Sequence, residues 1–205
     1  GHDDHTIYVW IDALFNYLSV VDTPERRRLW PAREHLLAKD ILWFHAVIWP
    51  CMLMALGEPL PRTVYAHAYF VRDGRKMSKS LGNFVDLDVI RAYNARYGRD
   101  ALRWFLCTCG PMGSADADFA HGKFVEVYNA ELANGIGNAA SRVGNMIEKY
   151  FGGTAPDPKG QVALHAMPEF GWPEVTATAV RNAISRADQW DLAGALREGV
   201  ELVRR

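Results

Sequence analysis

Lys76, Ser78, Lys79 and Ser80 lie within the stretch RKMSKSLGN, residues 75–83, flanked by Gly74 and Gly82. Ammonium and hydroxyl groups both favour anions, and the flanking glycines leave the backbone free to bend around one. The two lysines and two hydroxyls can all face an anion. The same residues also describe a charged surface turn, so the rest of the chain must decide. Asp40 is a second candidate, at the start of a helical pattern. A carboxylate there either caps the helix or holds the two hydroxyls of a ribose. A third candidate is a pair of apolar faces. Trp10, Ala13, Leu14 and Tyr17 recur at helical spacing, and so do Ile41, Phe44, His45 and Ile48. Faces of this kind form a core or enclose an apolar ligand with a soft, polarisable group. Spacing leaves both open, and a histidine such as His45 on an apolar face also suits a core.

The elements that must position these residues follow from periodicity. TIYVWI (6–11) reads as a buried strand, after which Asp12 can cap a helix through ALFNYLSV. HLLA (35–38) is a second strand, KDILWFHAVIWPCMLMAL a long apolar helix, and TVYAHAYF (63–70) a third strand. This alternation predicts a parallel α/β sheet with ligands at the carboxyl ends of its strands. Beyond the lysine loop, 86–98 and 99–110 read as helices that stop at glycines. A long helical pattern runs from Phe119 to about Tyr150, a proline-rich loop covers 152–173, and a final helix begins at Pro173. The chain is α/β first and all-α afterwards, with a change near residue 115.

Composition narrows the function. The chain has 205 residues, 49% hydrophobic and 23% charged, with net charge −1. That suits one or two globular domains, and nucleic-acid binding must come from local patches. The apolar run 46–56 is too short to span a membrane and contains Pro50. Cys51, Cys107 and Cys109 form no CxxC pair, which points away from a cysteine zinc site or a disulfide framework and towards a reducing cytoplasm. The abrupt opening and the unpartnered last helix lead us to expect further chain on both sides.

YVWIDALFNYL, KDILWFHAVIWPCMLM, HAYF nine residues ahead of KMSKSLGN, GRDALRWFL and NAELANGIGNAASRVGN occur in this order. Together they resemble the carboxy-terminal half of the methionyl-tRNA synthetases, class I aminoacyl-tRNA synthetases. The likeness is dense over residues 6–150 and loose beyond. KMSKS alone indicates class I; the YVWxDAxxxY and KDIxxFH segments point to the methionine enzyme. The resemblance implies residues 1–72 as the second half of a Rossmann-type catalytic domain. It implies 73–118 as the KMSKS loop and a helical connecting region, and 119–205 as part of an anticodon-binding helix bundle.

Its implied roles are specific. Lys79 and Lys76 stabilise the pyrophosphate leaving group, with Lys79 the stronger contributor. Asp40, His67, Phe70, Lys76, Met77, Ser78, Lys79 and Ser80 contact ATP, which brings Mg2+. Trp10, Ala13, Leu14, Tyr17, Ile41, Phe44 and His45 wall the methionine side chain, with His45 or Tyr17 touching the sulfur. Asn138 and Arg142 match the Asn-xxx-Arg pair that reads the CAU anticodon of tRNA-Met. No metal ligand and no zinc site are implied in this chain, and no membrane partner; the oligomeric state stays open.

Departures accompany the likeness. Ala38 and Ala68 stand where the family usually has glycine, so their methyl groups are expected to crowd ATP. Leu14 replaces a threonine or proline. The HIGH-like motif, the aspartate that anchors the amino group and the zinc-bearing insertion belong upstream of residue 1, and a stacking tryptophan belongs beyond Arg205. The expected function is therefore methionine–tRNA ligase, with this fragment inactive alone. Two alternatives remain: a sister synthetase for leucine, valine or isoleucine, and a catalytically retired, synthetase-like tRNA-binding module.

Overall fold

The protein is described here by a computed structural model covering residues 3–4, 9–155 and 171–204. It divides into two compact units, Gly1–Tyr69 with Pro111–Ala117, and Phe70–Gly110 with Asp118–Arg205.

In the first unit, helix α1 (Trp10–Ser19) precedes strand β1 (Glu34–Ala38), and a helical segment ending in α2 (Trp49–Leu56) crosses to strand β2 (Thr63–His67). β1 and β2 pair in parallel, from Glu34 opposite Thr63 to Ala38 opposite His67. This is the expected strand–helix–strand unit, since parallel neighbours require a crossover. Leu14, Trp49 and Leu53 form its buried centre.

The amino-terminal expectation needs correction. Positions 6–8 of the anticipated strand lie outside the described residues. Val9 is in a turn, and Trp10 and Ile11 already belong to α1. Asp12 lies in the first turn and makes no capping bond, a position where its charge still suits the helix dipole. Aromatic and β-branched composition suggested a strand, but the helical spacing of Trp10, Leu14 and Tyr17 won because it packs α1 onto α2. The third strand also breaks earlier than expected. At Ala68 the backbone N–H leaves the ladder for the carbonyls of Pro111 and Gly113, at 2.9 and 3.0 Å.

The second unit begins with strands β3 (Phe70–Arg72) and β4 (Arg75–Lys76). Helices α3 (Leu87–Tyr97) and α4 (Arg99–Cys109) follow, with Gly98 between them at φ 86°. The Asp86 carboxylate caps α3, accepting the N–H groups of Asp88 and Val89 at 3.1 and 2.9 Å. After the short strand β5 (Ala117–Asp118), α5 (His121–Val127), a wider π-helical stretch (Tyr128–Gly137) and α6 (Asn138–Phe151) run on without a break. The loop expected over 152–173 lies mostly outside the described residues.

The single final helix expected from Pro173 onward is two, α7 (Trp172–Asp188) and α8 (Leu192–Arg204). Trp190 turns the chain at φ 63°, and Asp191 starts α8 by accepting the Gly194 N–H at 2.8 Å. The sequence signal was present: Asp191 is a capping residue three positions before a free N–H.

Ala101, Leu102, Phe105, Phe119, Phe124 and Val127 form the core of this unit, joined by Phe70 and Met77. Phe124, 1% exposed, meets Tyr93 edge-on at 4.8 Å. Phe124→Ala should lower the unfolding free energy by about 3–5 kcal/mol in urea titration, as expected for emptying a fully packed aromatic site.

Candidate active site

β3 and β4 form an antiparallel hairpin, with Val71 opposite Lys76 and Arg72 opposite Arg75. Its two-residue turn, Asp73–Gly74, has φ values of 52° and 70°. Turns with two left-handed residues match the twist of a hairpin, and Asp-Gly is the pair that tolerates them. The chain then enters the lysine loop. The Asn83 side chain donates to the Lys76 carbonyl at 3.1 Å and accepts the Ser78 N–H at 2.9 Å. Ser78 Oγ accepts the Leu81 N–H at 3.1 Å and lies 3.0 Å from Ser80 Oγ. The Gly82 N–H donates to the Lys79 carbonyl at 3.2 Å, with Gly82 at φ 64°. The serines thus shape the loop itself.

Met77 turns into the core, while Lys76 and Lys79 stay exposed. Neither ammonium has an ion-pair or hydrogen-bond partner among the described residues. A groove of about 790 Å³ adjoins the loop, lined by Lys79, Gly82, Phe84, Val85 and Asp86.

In the first unit, α1 faces the helical segment before α2. Trp10 and Phe44 stack with centroids 4.3 Å apart and planes within 7°. Phe44 and His45 sit in a π-helical turn, Phe44–Ile48, a widening often found where side chains are re-aimed for function. His45 is 2% exposed; its Nδ1 lies 3.0 Å from the Ile41 carbonyl and its Nε2 2.9 Å from the Tyr17 hydroxyl. A carbonyl only accepts, so Nδ1 carries the proton, Nε2 accepts, and the Tyr17 O–H donates. Burial pushes the Tyr17 phenol up, which keeps that proton in place. Both polar hydrogens of the pair are thereby used internally. Leu14 is 1% exposed and serves the core, whereas Ala13 is exposed and Trp10 and Ile41 are half-buried.

Asp40 does not cap the turn it opens, Lys39–Ile41; that position falls to Ala38, without a side-chain bond. The exposed Asp40 carboxylate instead accepts from the Tyr69 hydroxyl, which raises the Tyr69 pKa. Lys39 pairs with Asp116 at 2.7 Å, and Asp116 also accepts the Tyr69 N–H at 3.0 Å. These two bonds, with that from Lys39 the larger, hold the Asp116 carboxyl below its usual range. His67 is half-buried, its Nδ1 2.8 Å from the Ala68 carbonyl. Ala68 itself is 1% exposed, so its methyl is covered by protein rather than turned to open space. Phe70 packs against Phe119 in the second unit at 6.0 Å.

Asn138 and Arg142 are exposed on α6, one turn apart. They line a groove of about 340 Å³ with Asn134, Gly135, Val200 and Arg204. Among the described residues, no group of three or more His, Cys, Asp or Glu side chains is gathered as a metal site. No helix among them is long and apolar enough to cross a membrane.

The family model described as "tRNA synthetases class I (M)" matches residues 1–144. The chain belongs to this family. The methionine–tRNA ligase of Caldanaerobacter subterraneus is 47% identical over 162 residues, covering 77% of this chain and 25% of that protein. That of Thermotoga maritima is 43% identical with the same coverage. The crystal structure of Mycobacterium tuberculosis methionyl-tRNA synthetase bound by methionyl-adenylate superposes with a TM-score of 0.79 at 36% identity. That match covers 99% of this chain and 39% of that one. The chain therefore spans about a quarter of the length of the curated relatives it matches.

Sequence reasoning missed several participants. Asn83 ends the quoted loop stretch yet had no role. Tyr69 and Asp116 orient groups next to Asp40 from positions that spacing does not connect to it. His35 was read only as part of a strand. It is 5% exposed, its Nε2 has no hydrogen-bond partner, and it lies 4.5 Å from the Tyr17 ring and 5.8 Å from His45. Burial, reinforced by His45, holds its pKa below the ordinary histidine value. The unfolded chain then binds a proton near about pH 6.5 that the folded chain resists, so stability is present above that pH and falls below it. Urea midpoints measured from about pH 7.5 down to about pH 5.5 should decline, and His35→Gln should flatten the decline.

Proposed function

We propose that this chain is part of a methionine–tRNA ligase that joins L-methionine to tRNA-Met by way of methionyl-adenylate, using ATP. The observation that carries this reading is the state of the lysine loop. Its hydroxyls and its asparagine hold the backbone, while two lysine ammoniums stay uncompensated and exposed. Cations positioned in advance and not already neutralised are what a departing pyrophosphate needs.

In this reading the methionine carboxylate attacks the α-phosphorus of ATP, the bond to the β,γ-phosphates breaks, and pyrophosphate leaves with its charge met by Lys76 and Lys79. The carboxylate is already a nucleophile, so no protein base is required for this step. Mg2+ accompanies the triphosphate and shares its charge. Asp40, oriented by Tyr69, holds the ribose, and His67, Phe70 and the KMSKS backbone accommodate the rest of the nucleotide. The loop, flexing at Gly82 beyond Lys79, serves as a lid.

The stacked Trp10–Phe44 wall, with Ala13, Leu14, Tyr17, Ile41 and His45, takes the methionine side chain. Because the Tyr17 and His45 protons are spent on each other and on Ile41, selectivity rests on shape and on sulfur against aromatic faces. Asn138 and Arg142 read anticodon bases. Residues 1–72, 73–118 and 119–205 accordingly act as catalytic, connecting and anticodon-binding segments of a cytoplasmic enzyme.

ATP–pyrophosphate exchange by the full-length gene product, run with each amino acid in turn, should respond to methionine alone. Exchange with none, from a protein that still binds tRNA, would replace this reading with a tRNA-binding module. In the same protein Lys79→Ala should lower adenylate formation roughly a hundredfold and move the KM for methionine less than about twofold. Arg142→Ala should leave exchange intact and reduce tRNA charging about tenfold, the scale of one lost base contact.

A further inference from the structure

Asp118 is an exposed carboxylate with no ion-pair partner among the described residues. Its two oxygens are nonetheless both occupied. Oδ1 accepts the Asp73 N–H at 2.8 Å and Oδ2 accepts the Gly74 N–H at 2.9 Å. These are the two residues of the hairpin turn, both at positive φ, whose N–H groups point at one spot. A carboxylate receiving two main-chain donors makes charge-assisted bonds, about twice as strong as neutral ones. Asp118 thus caps the turn from a position 44 residues away in the chain.

The residue that carries it is anchored. Phe119 is 5% exposed, its N–H donates to the Val71 carbonyl at 2.8 Å, and its ring lies 5.7 Å from Phe105. A line of restraint therefore runs from the unit's aromatic core through Asp118 to the turn, and through β4 to Lys76. On the far side of Lys76, Asn83 holds its carbonyl and Met77 is packed into the same core. Lys76 is bracketed on both sides. Lys79 lies in the following turn, outside both brackets.

We propose that Asp118 is a positioning residue that fixes Lys76, dividing the lysine loop into one lysine held in place by the core and one that moves with the lid. This rests on the ligase reading above. The step it serves is the one already described: the α,β-phosphate bond breaks and the charge on pyrophosphate is met by a lysine whose placement was settled beforehand.

The test uses the full-length protein with Asp118→Ala and the milder Asp118→Asn, which keeps one acceptor oxygen. Asp118→Ala should lower kcat for methionine-dependent exchange about tenfold, with Asp118→Asn between it and wild type and the KM for methionine within about twofold. Melting temperature should fall by no more than about 5 °C, the scale of one lost capping carboxylate; a loss of methionine affinity in parallel with kcat would mean that Asp118 is merely structural. The decisive arm is a double-mutant comparison. Asp118→Ala should add less than about twofold in a Lys76→Ala background and retain its full effect in a Lys79→Ala background. Equal losses in the two backgrounds overturn the proposal. If the wild-type protein exchanges no amino acid, the ligase reading fails and limited trypsin digestion still decides this one. Asp118→Ala should speed cleavage after Arg75 and Lys76 at least about fivefold without changing cleavage outside the hairpin, because local opening exposes these bonds. Unchanged cleavage after Lys76 would sink it.

Discussion

A loop keeps two exposed lysines uncompensated only if no carboxylate beside them holds its shape. This constraint governs residues 73–83. The backbone is tied instead by neutral groups, the Asn83 amide and the Ser78 hydroxyl. The one carboxylate involved, Asp118, spends both oxygens on the N–H groups of the turn rather than on an ammonium. Met77 contributes burial in the middle of the same stretch. The order of residues in the motif, with an apolar side chain between charged ones and hydroxyls beside them, follows from this division of labour.

The first unit solves the opposite problem, placing polar groups inside an aromatic environment without leaving charge there. His45 is buried and fully hydrogen-bonded in its neutral form. Burial of His35, beside it, holds its pKa below the ordinary histidine value. Unpaired charge in such surroundings is costly, so the histidines act as shaped, uncharged walls. A sleeve of this type accepts an uncharged, polarisable side chain and disfavours charged ones. Asp40 and Lys39 lie exposed in the turn where β1 ends, where water still solvates them.

Much of this was legible in the chain. The strand–helix–strand rhythm across 35–67, the glycine stops at Gly98 and Gly110, and the lysine loop all follow from adjacent residues. Trp10 and Ile11 misled because aromatic and β-branched residues favour strands in isolation, while here packing of Trp10 on Phe44 holds them helical. The break at Trp190 was missed although Asp191, a capping residue, follows it directly, because the apolar helical spacing continues on both sides. What ends α7 is one residue at positive φ, with a cap from Asp191.

The sequence by itself determined which side chains could do chemistry and the local periodicity that presents them. Both depend on neighbours within a few positions, where steric and hydrogen-bonding rules are short-ranged. Only the tertiary structure decided which groups orient them. Asp118 reaches Gly74 across 44 residues and Asp116 reaches Lys39 across 77. Leu14, on the same helical face as Tyr17, proved to be core, and the two polar protons of the Tyr17–His45 pair proved to be consumed. Spacing identifies a face, but the partner packed against it settles whether each residue on that face is a wall, a ligand contact or a support.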